Sequence, residues 1–336
     1  MSSALFEKVQ AEVAPQALGD MVIFAQSVEA ELNAQMCSAI HLVEQIGLLT
    51  LEGGGKRLRP LMAAAVARAV NPNVSLDRAV KLGACLEMIH MATLIHDDVI
   101  DGAATRRGRP TAGTVHGGTA SILSGDVLLA KAMKMLAEDG DLSIIRLVSQ
   151  SVVEMAEGEV KEVEVRNDFD LSEAEHISIL RMKTAAFIEA CCRTGARIGG
   201  ATEAQEEALG QFGHHLGMAF QIADDILDFR GDKVKTGKPL ATDFREGCVT
   251  FPLISLRGQL SEEEMLFVRR KFGNGVTDEE VAVISQWMDA RGAFTDSVAR
   301  AKSHVDSALE HLSILEPSPY RTMLESVSSF VVARES

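Results

Sequence analysis

Two short stretches, HDDVID at 96–101 and ADDILD at 223–228, each set three aspartates into otherwise apolar sequence. At about 100° per residue, Asp97, Asp98 and Asp101 fall near 0°, 100° and 40° around a helix. Asp224, Asp225 and Asp228 repeat that wedge, with Gln221 on the same face. His90, seven residues before Asp97, joins the first stripe. The remaining faces carry Leu94, Ile95, Val99 and Ile100 in one helix, and Ile222, Ala223, Ile226 and Leu227 in the other. Both helices are therefore expected to pack inside. A single DDxxD reads equally well as an acidic surface patch, but its recurrence among apolar neighbours argues for a site. Unpaired buried carboxylates are costly and tend to neutralise by protonation, and divalent cations relieve that cost. Ligands that are all oxygen point to Mg²⁺, which shares its shell with phosphates and water. Six carboxylates and two or three Mg²⁺ would suit a diphosphate.

Cations cluster nearby, as KRLR at 56–59, RRGR at 106–109 and KVKTGK at 233–238. Each adjoins a glycine-containing loop or an aspartate motif, although any one alone would pass for solvated surface. GGGKRLRP at 53–60 is not a nucleotide P-loop. Arg57 stands where Ser or Thr should follow the Lys, and Thr50 where a Gly is needed. Lys56, Arg57 and Arg59 on a glycine turn still suit an oxyanion, Arg as a fork and Lys as a point charge.

The elements that must hold these residues are helices. The chain has 336 residues, enough for one large domain or two ordinary ones, and a net charge of −15 argues against nucleic acid as a partner. Arg68, Glu87 and similar charges interrupt every apolar run before membrane-spanning length. The N-terminus has no signal-peptide pattern. Five cysteines without CxxC spacing suggest reduced thiols in a cytoplasmic protein. Helical periodicity predicts helices at about 4–48, 58–70, 75–101, 118–137, 142–166, 172–198, 203–230, 249–258, 261–271, 277–289, 291–313 and 318–333. Turn signals such as EGGGK, RRGRPTAG and FGNG separate them, and no alternating stretch suggests a hairpin. The expectation is a single all-α domain over 1–336.

Together these residues resemble the trans-isoprenyl diphosphate synthases, most of all the long-chain octaprenyl and decaprenyl type. GGKRLRP, DDVIDGAATRRGRPT, the KT at 183–184, FQIADDILD and the GKP at 237–239 occur in that family's order across residues 54–239. The resemblance implies a helical bundle around a central apolar cavity, with the aspartate motifs facing each other across its mouth. It implies that Asp97, Asp98, Asp101, Asp224 and Asp228 hold Mg²⁺ against an allylic diphosphate, with Asp225 in support. Lys183, counted with the catalytic residues, would contact that diphosphate along with Arg106, Thr184, Gln221 and Lys238. Lys56, Arg57, His90 and Arg107 would bind isopentenyl diphosphate. The implied reaction is head-to-tail 1′-4 condensation through an allylic cation. The implied assembly is a homodimer, and the implied role is supply of a quinone side chain.

The chain departs from the family at Ala241, commonly Gly, and at Cys248, commonly a Lys that contacts diphosphate. Product length is expected near about C40 to C50, because each added unit gains roughly 4 kcal/mol of apolar burial and only a steric floor stops growth. Ala92 and Thr93 are small where short-chain enzymes of the family often carry Phe or Tyr. Met88 or Met133 would then close the path deeper. Ala92 packing merely against a neighbouring helix is the plainer account. Competing functions are a short-chain synthase, a non-catalytic partner subunit, a metal phosphohydrolase built on His96–Asp97 and a class I terpene cyclase. The hydrolase leaves the second triplet unexplained, and the cyclase leaves the basic motifs without a task.

Overall fold

The computed structural model describes residues 12–231 and 240–333. In chain order the helices are α1 (Pro15–Met36), α2 (His41–Glu52), α3 (Leu58–Val70) and α4 (Asp77–Ile100). A hairpin follows, β1 (Thr105–Arg106) and β2 (Arg109–Pro110), then α5 (Ala112–His116), α6 (Gly118–Asp139) and α7 (Leu142–Glu164). Next come α8 (Glu173–Leu180), a π-helical turn (Arg181–Ala185), α9 (Ala186–Gly199) and α10 (Glu203–Arg230). The last are α11 (Thr242–Glu246), α12 (Phe251–Arg257), α13 (Glu262–Lys271), α14 (Asp278–Ala290), α15 (Ala293–Leu312) and α16 (Pro319–Ala333). The expected all-α class is the one observed. Among the described residues no helix is long and apolar enough to cross a membrane.

Several boundaries follow from local chemistry. Ser172, Ser261 and Thr277 each close a capping box with a glutamate three residues on, starting α8, α13 and α14. Helix α13 also carries Glu262–Glu264 in its first turn and Arg269–Lys271 in its last, matching the helix dipole.

Three differences from the sequence expectation have physical causes. The helix expected over 4–48, whose start lies outside the described residues, breaks after Met36. Lys131 Nζ donates to Gln35 O at 2.6 Å and Cys37 O at 2.8 Å, so a distant side chain satisfies the carbonyls that α1 leaves open. The helix expected over 172–198 widens into the π turn. The RRGR loop forms a hairpin pairing Thr105 with Pro110 and Arg106 with Arg109. Its turn residues, Arg107 and Gly108, take positive φ of 52° and 75°, as a two-residue hairpin requires. Strands of two residues leave no alternation to read.

The chain falls into two compact units. One is drawn from Met1–Gln150, Ala190–Gly210 and Leu312–Val327, the other from Ser151–Glu189, Gln211–His311 and Ser328–Ser336. In the first, α4 is buried on most sides through Leu82, Leu86, Met88, Ile89 and Ile95. It lies along α6, where Cys85 Sγ donates to Ala132 O at 3.3 Å and His96 Nε2 donates to Ile122 O at 3.1 Å. His96 occupies the space that a side chain at Gly125 would need. The second unit has an aromatic core in which Phe244 meets Phe229 and Phe272 edge-on, with ring centroids 6.2 and 5.4 Å apart.

Helices α3 and α9 of the first unit touch backbone to backbone. A Cβ added at Gly195 would stand 2.9 Å from both Cα and C of Ala63, and closer still to its O. Backbone cannot step aside as a flexible side chain can. Gly195→Ala is expected to destabilise the protein by about 1–3 kcal/mol through overpacking, read as a lower Tm. An unchanged Tm would show that the α3–α9 contact is looser than this.

Candidate active site

In the first unit the end of α4 and two loops form a charged cluster. Glu87, His90, Asp97, Asp98 and Asp101 fall within a wedge of roughly 100° on α4. The triplet does not behave uniformly: Asp98 is buried, Asp97 half-buried and Asp101 exposed. Asp98 Oδ1 accepts from Arg106 Nε at 2.7 Å, so the hairpin supplies the cation that makes this burial tolerable. Arg109 Nη1 donates to Glu52 O at 2.8 Å and ties the hairpin to the end of α2.

The glycine loop delivers Arg57 to the same place. Arg57 Nε donates to Glu29 Oε2 at 2.9 Å, Nη1 to Glu87 Oε1 at 3.3 Å and Nη2 to Leu51 O at 3.0 Å. A Cβ at Gly55 would lie 2.7 Å from Arg57 Nη1, 3.5 Å from Arg107 Nη1 and 3.6 Å from Glu87 Oε1, so these groups converge where the loop has no side chain. Arg57 and Arg107 both adopt left-handed backbone, φ 46° and 52°. For non-glycine residues that conformation costs about 1–3 kcal/mol and persists where surrounding structure enforces it, as at binding sites. Burial, then the nearby charges of Arg59, Arg107, Arg106 and Arg57, pull the His90 pKa well below its ordinary value. His90 is therefore a neutral imidazole in a cationic pocket. Glu87, only 4% exposed, is the buried counter-charge to Arg57, Arg59 and Arg107. Sequence reasoning missed it, although it lies one turn before His90 on the same stripe.

The second unit holds the other triplet on α10. Gly217, Gln221, Asp224 and Asp228, spaced i, i+4, i+7 and i+11, line one face. Asp225 points elsewhere and is buried, its Oδ2 accepting from His176 Nε2 at 2.9 Å and Phe251 N at 3.0 Å. It supports the helix rather than displaying charge. Asp228 accepts from Thr242 N at 2.9 Å and Asp243 N at 3.2 Å, the first turn of α11. Burial, with the charges of Asp225 and Glu246, still pushes its pKa up to about 7. Asp243, absent from the sequence reading, is raised well above the usual range by burial and by Asp228.

Lys183 and the half-buried Thr184 sit in the π turn. The Lys183 ammonium pairs with Glu159 at 2.9 Å and with Glu162. Burial works to lower its pKa, but the two glutamates outweigh that and raise it. Cys248 lies among Glu162, Asp243, Arg166 and Lys183; burial and the two carboxylates push its thiol up to about 12, so it is neutral. Ala241 takes the left-handed φ of 54° that favours glycine, and its N–H donates to Asp228 O at 2.7 Å.

The first unit thus brings Arg57, His90 and Arg107 together around Glu87, and places Arg106 on Asp98. Lys56 is half-buried beside them in sequence, and Lys238 lies outside the described residues. Ala92 and Met88 are buried in α4, Thr93 Oγ1 donates to His90 O at 2.8 Å, and Met133 is half-buried on α6. Ile100, expected inside, is 48% exposed because α4 ends there. Among the described residues, no three His, Cys, Asp or Glu side chains are gathered around one metal position. The exposed Asp101 and Asp224 and the half-buried Asp97 and Asp228 nonetheless suit Mg²⁺ in their chemistry, since that ion takes one or two carboxylates and fills its shell with phosphate oxygens and water.

The chain is similar to known proteins both in sequence and in fold. The polyprenyl synthetase family matches residues 40–288. The chain is 33% identical to the octaprenyl diphosphate synthase of Escherichia coli (strain K12), over 92% of this chain and 95% of that one. It is 34% identical to the short chain isoprenyl diphosphate synthase of Methanothermobacter thermautotrophicus, over 85% and 88%. A crystal structure of polyprenyl synthase from Caulobacter crescentus CB15, complexed with calcium and isoprenyl diphosphate, superposes with a TM-score of 0.87 at 32% identity, covering 98% of each chain.

The raised Asp228 pKa makes stability depend on pH in a defined direction. Unfolded, this carboxyl ionises near pH 4; folded and without metal it keeps its proton to about 7. The folded state binds the extra proton between those values, so its stabilising effect is full below about pH 4 and is lost as pH rises toward 7. Thermal unfolding in chelator is expected to show that decline, and Asp228→Asn to flatten it. Equal slopes in both proteins would contradict the assignment.

Proposed function

This chain belongs to the polyprenyl synthetase family, and from that premise we propose that it condenses isopentenyl diphosphate with an allylic diphosphate to give a long-chain all-trans polyprenyl diphosphate. The observation that carries the reading is the convergence of Arg57 and Arg107 on Gly55, beside neutral His90. In this reading it is an anion site apart from the aspartate stripes, and a hydrolase or cyclase acting on one diphosphate has no task for it.

In this reading Arg57, Arg107, Lys56 and His90 hold isopentenyl diphosphate through charge-assisted hydrogen bonds. Lys183, Thr184, Gln221, Arg106 and Lys238 hold the allylic diphosphate. Asp97, Asp98, Asp101, Asp224 and Asp228 would hold two or three Mg²⁺, which supply neutralisation of the charge that develops on the leaving diphosphate. Asp225 and Asp243 keep the second motif in place. Apolar walls keep water from the allylic cation. All 336 residues would act as one prenyl-transferring domain, in a cytoplasmic homodimer that supplies a quinone side chain. Five free thiols among the described residues fit a reducing compartment.

The family contains long- and short-chain enzymes of similar identity to this one, so product length rests on Ala92 and Thr93. Both are small, and Ala92 is buried in α4 a turn and a half before Asp97. The product is placed at about C40 to C50, by the same burial argument that lets growth continue until a wall is met.

Two experiments test this. Activity with isopentenyl diphosphate and an allylic primer is expected to require Mg²⁺. Asp97→Ala or Asp224→Ala should lower kcat by several orders of magnitude, and more than either changes KM, because the metal site acts on the transition state. Full turnover in excess EDTA would exclude the mechanism. Ala92→Phe should shorten the main product to about C15 or C20 while sparing the first condensation, read by chromatography of dephosphorylated products. A wild-type product already at that length would establish the short-chain alternative.

A further inference from the structure

A π turn is uncommon: it carries one more residue per hydrogen-bonded ring than an α-helix and must be held by its surroundings. The turn Arg181–Ala185 is held by two glycines from different helices. A Cβ at Gly158 of α7 would meet Met182 Cβ at 2.8 Å, Lys183 N at 3.0 Å and Lys183 Cγ at 3.1 Å. A Cβ at Gly217 of α10 would meet Ala185 Cα at 2.6 Å and Ala185 Cβ at 3.0 Å. Both helices therefore approach the turn to a distance that only glycine permits.

The two approaches are also directed. On α7, Gly158 lies between Glu154 and Glu162 at i−4 and i+4. Glu154 pairs with Arg181 at 2.9 Å, and Glu162 pairs with Lys183. On α10, Gly217 begins the stripe that continues through Gln221, Asp224 and Asp228. The face of α10 that seats the π turn is thus the face that displays the aspartates.

We propose that Gly158 and Gly217 are positioning residues that set the Lys183 ammonium against the allylic diphosphate. The proposal rests on the function inferred above. A methyl group at either position would displace the turn backbone, and with it Lys183 and Thr184, away from the aspartate stripe. A misplacement of about 1 Å in such a group can cost about 10²-fold in rate.

The test is steady-state kinetics of Gly158→Ala, Gly217→Ala, Lys183→Ala and the doubles with Lys183→Ala, varying each substrate separately. Each glycine variant is expected to lower kcat/KM for the allylic diphosphate at least about tenfold, and to leave KM for isopentenyl diphosphate within about twofold. In the Lys183→Ala background either glycine change should add clearly less than it does alone, because the ammonium it positions is already gone and only Thr184 is left to displace. Multiplying effects in the doubles, or equal changes for both substrates, would overturn the proposal. If Gly158→Ala does not fold, Gly158→Ala with Met182→Gly, which removes the nearest clash, carries the same measurement. Failure of both to fold would assign Gly158 to folding and also overturn its positioning role. A wild-type chain that forms no prenyl diphosphate would overturn the function itself, whereas an active wild type with unaffected glycine variants would overturn only this inference.

Discussion

A carboxylate taken out of water without a partner is costly, and each unit holds one that has been given partners. Asp98 is buried against Arg106, and Asp225 against His176 and the Phe251 amide. In each triplet the middle aspartate is thereby immobilised, which fixes the rotation of its helix. Of the flanking aspartates, Asp101 and Asp224 are exposed, while Asp97 and Asp228 are half-buried. The two paired residues convert an apolar helix into a carrier with a defined angle of display.

The cations obey the complementary rule. Arg57, Arg59, Arg106 and Arg107 would repel one another and empty the pocket if left to themselves. Glu87 and Glu29 pair with Arg57, and Asp98 pairs with Arg106. Burial first, and then the same field, hold the His90 pKa well below its ordinary value. In the second unit Lys183 is held by Glu159 and Glu162, and Cys248 adds no charge where several carboxylates already crowd together. Close backbone approach sets positions at Gly158 and Gly217, where a single methyl group would intrude, whereas at Gly55 the ends of Arg57, Arg107 and Glu87 close on the loop.

Much of this was legible in the residues themselves. Helical period, turn signals and the wedge geometry of the two triplets are local properties, carried within a few turns of chain. They led to the all-α class, to both aspartate stripes and to the ordered set of basic motifs. Asp243 and Glu87 were not legible as site residues. An isolated acid in sequence does not declare whether it meets water or an arginine, and that is decided by which helices pack beside it.

The sequence by itself determined the residue types, their angular positions and the family to which they belong, because helical geometry turns spacing directly into facing. Only the tertiary structure decided where α1 stops, since Lys131 from α6 closes it, and where the α8–α9 helix widens, since Gly158 and Gly217 press on the turn. It alone decided which aspartate of each triplet is buried, and that Arg57 and Arg107 share one point at Gly55. Each of these depends on contacts between segments far apart in the chain, and no local spacing encodes the distance at which two helices come to rest.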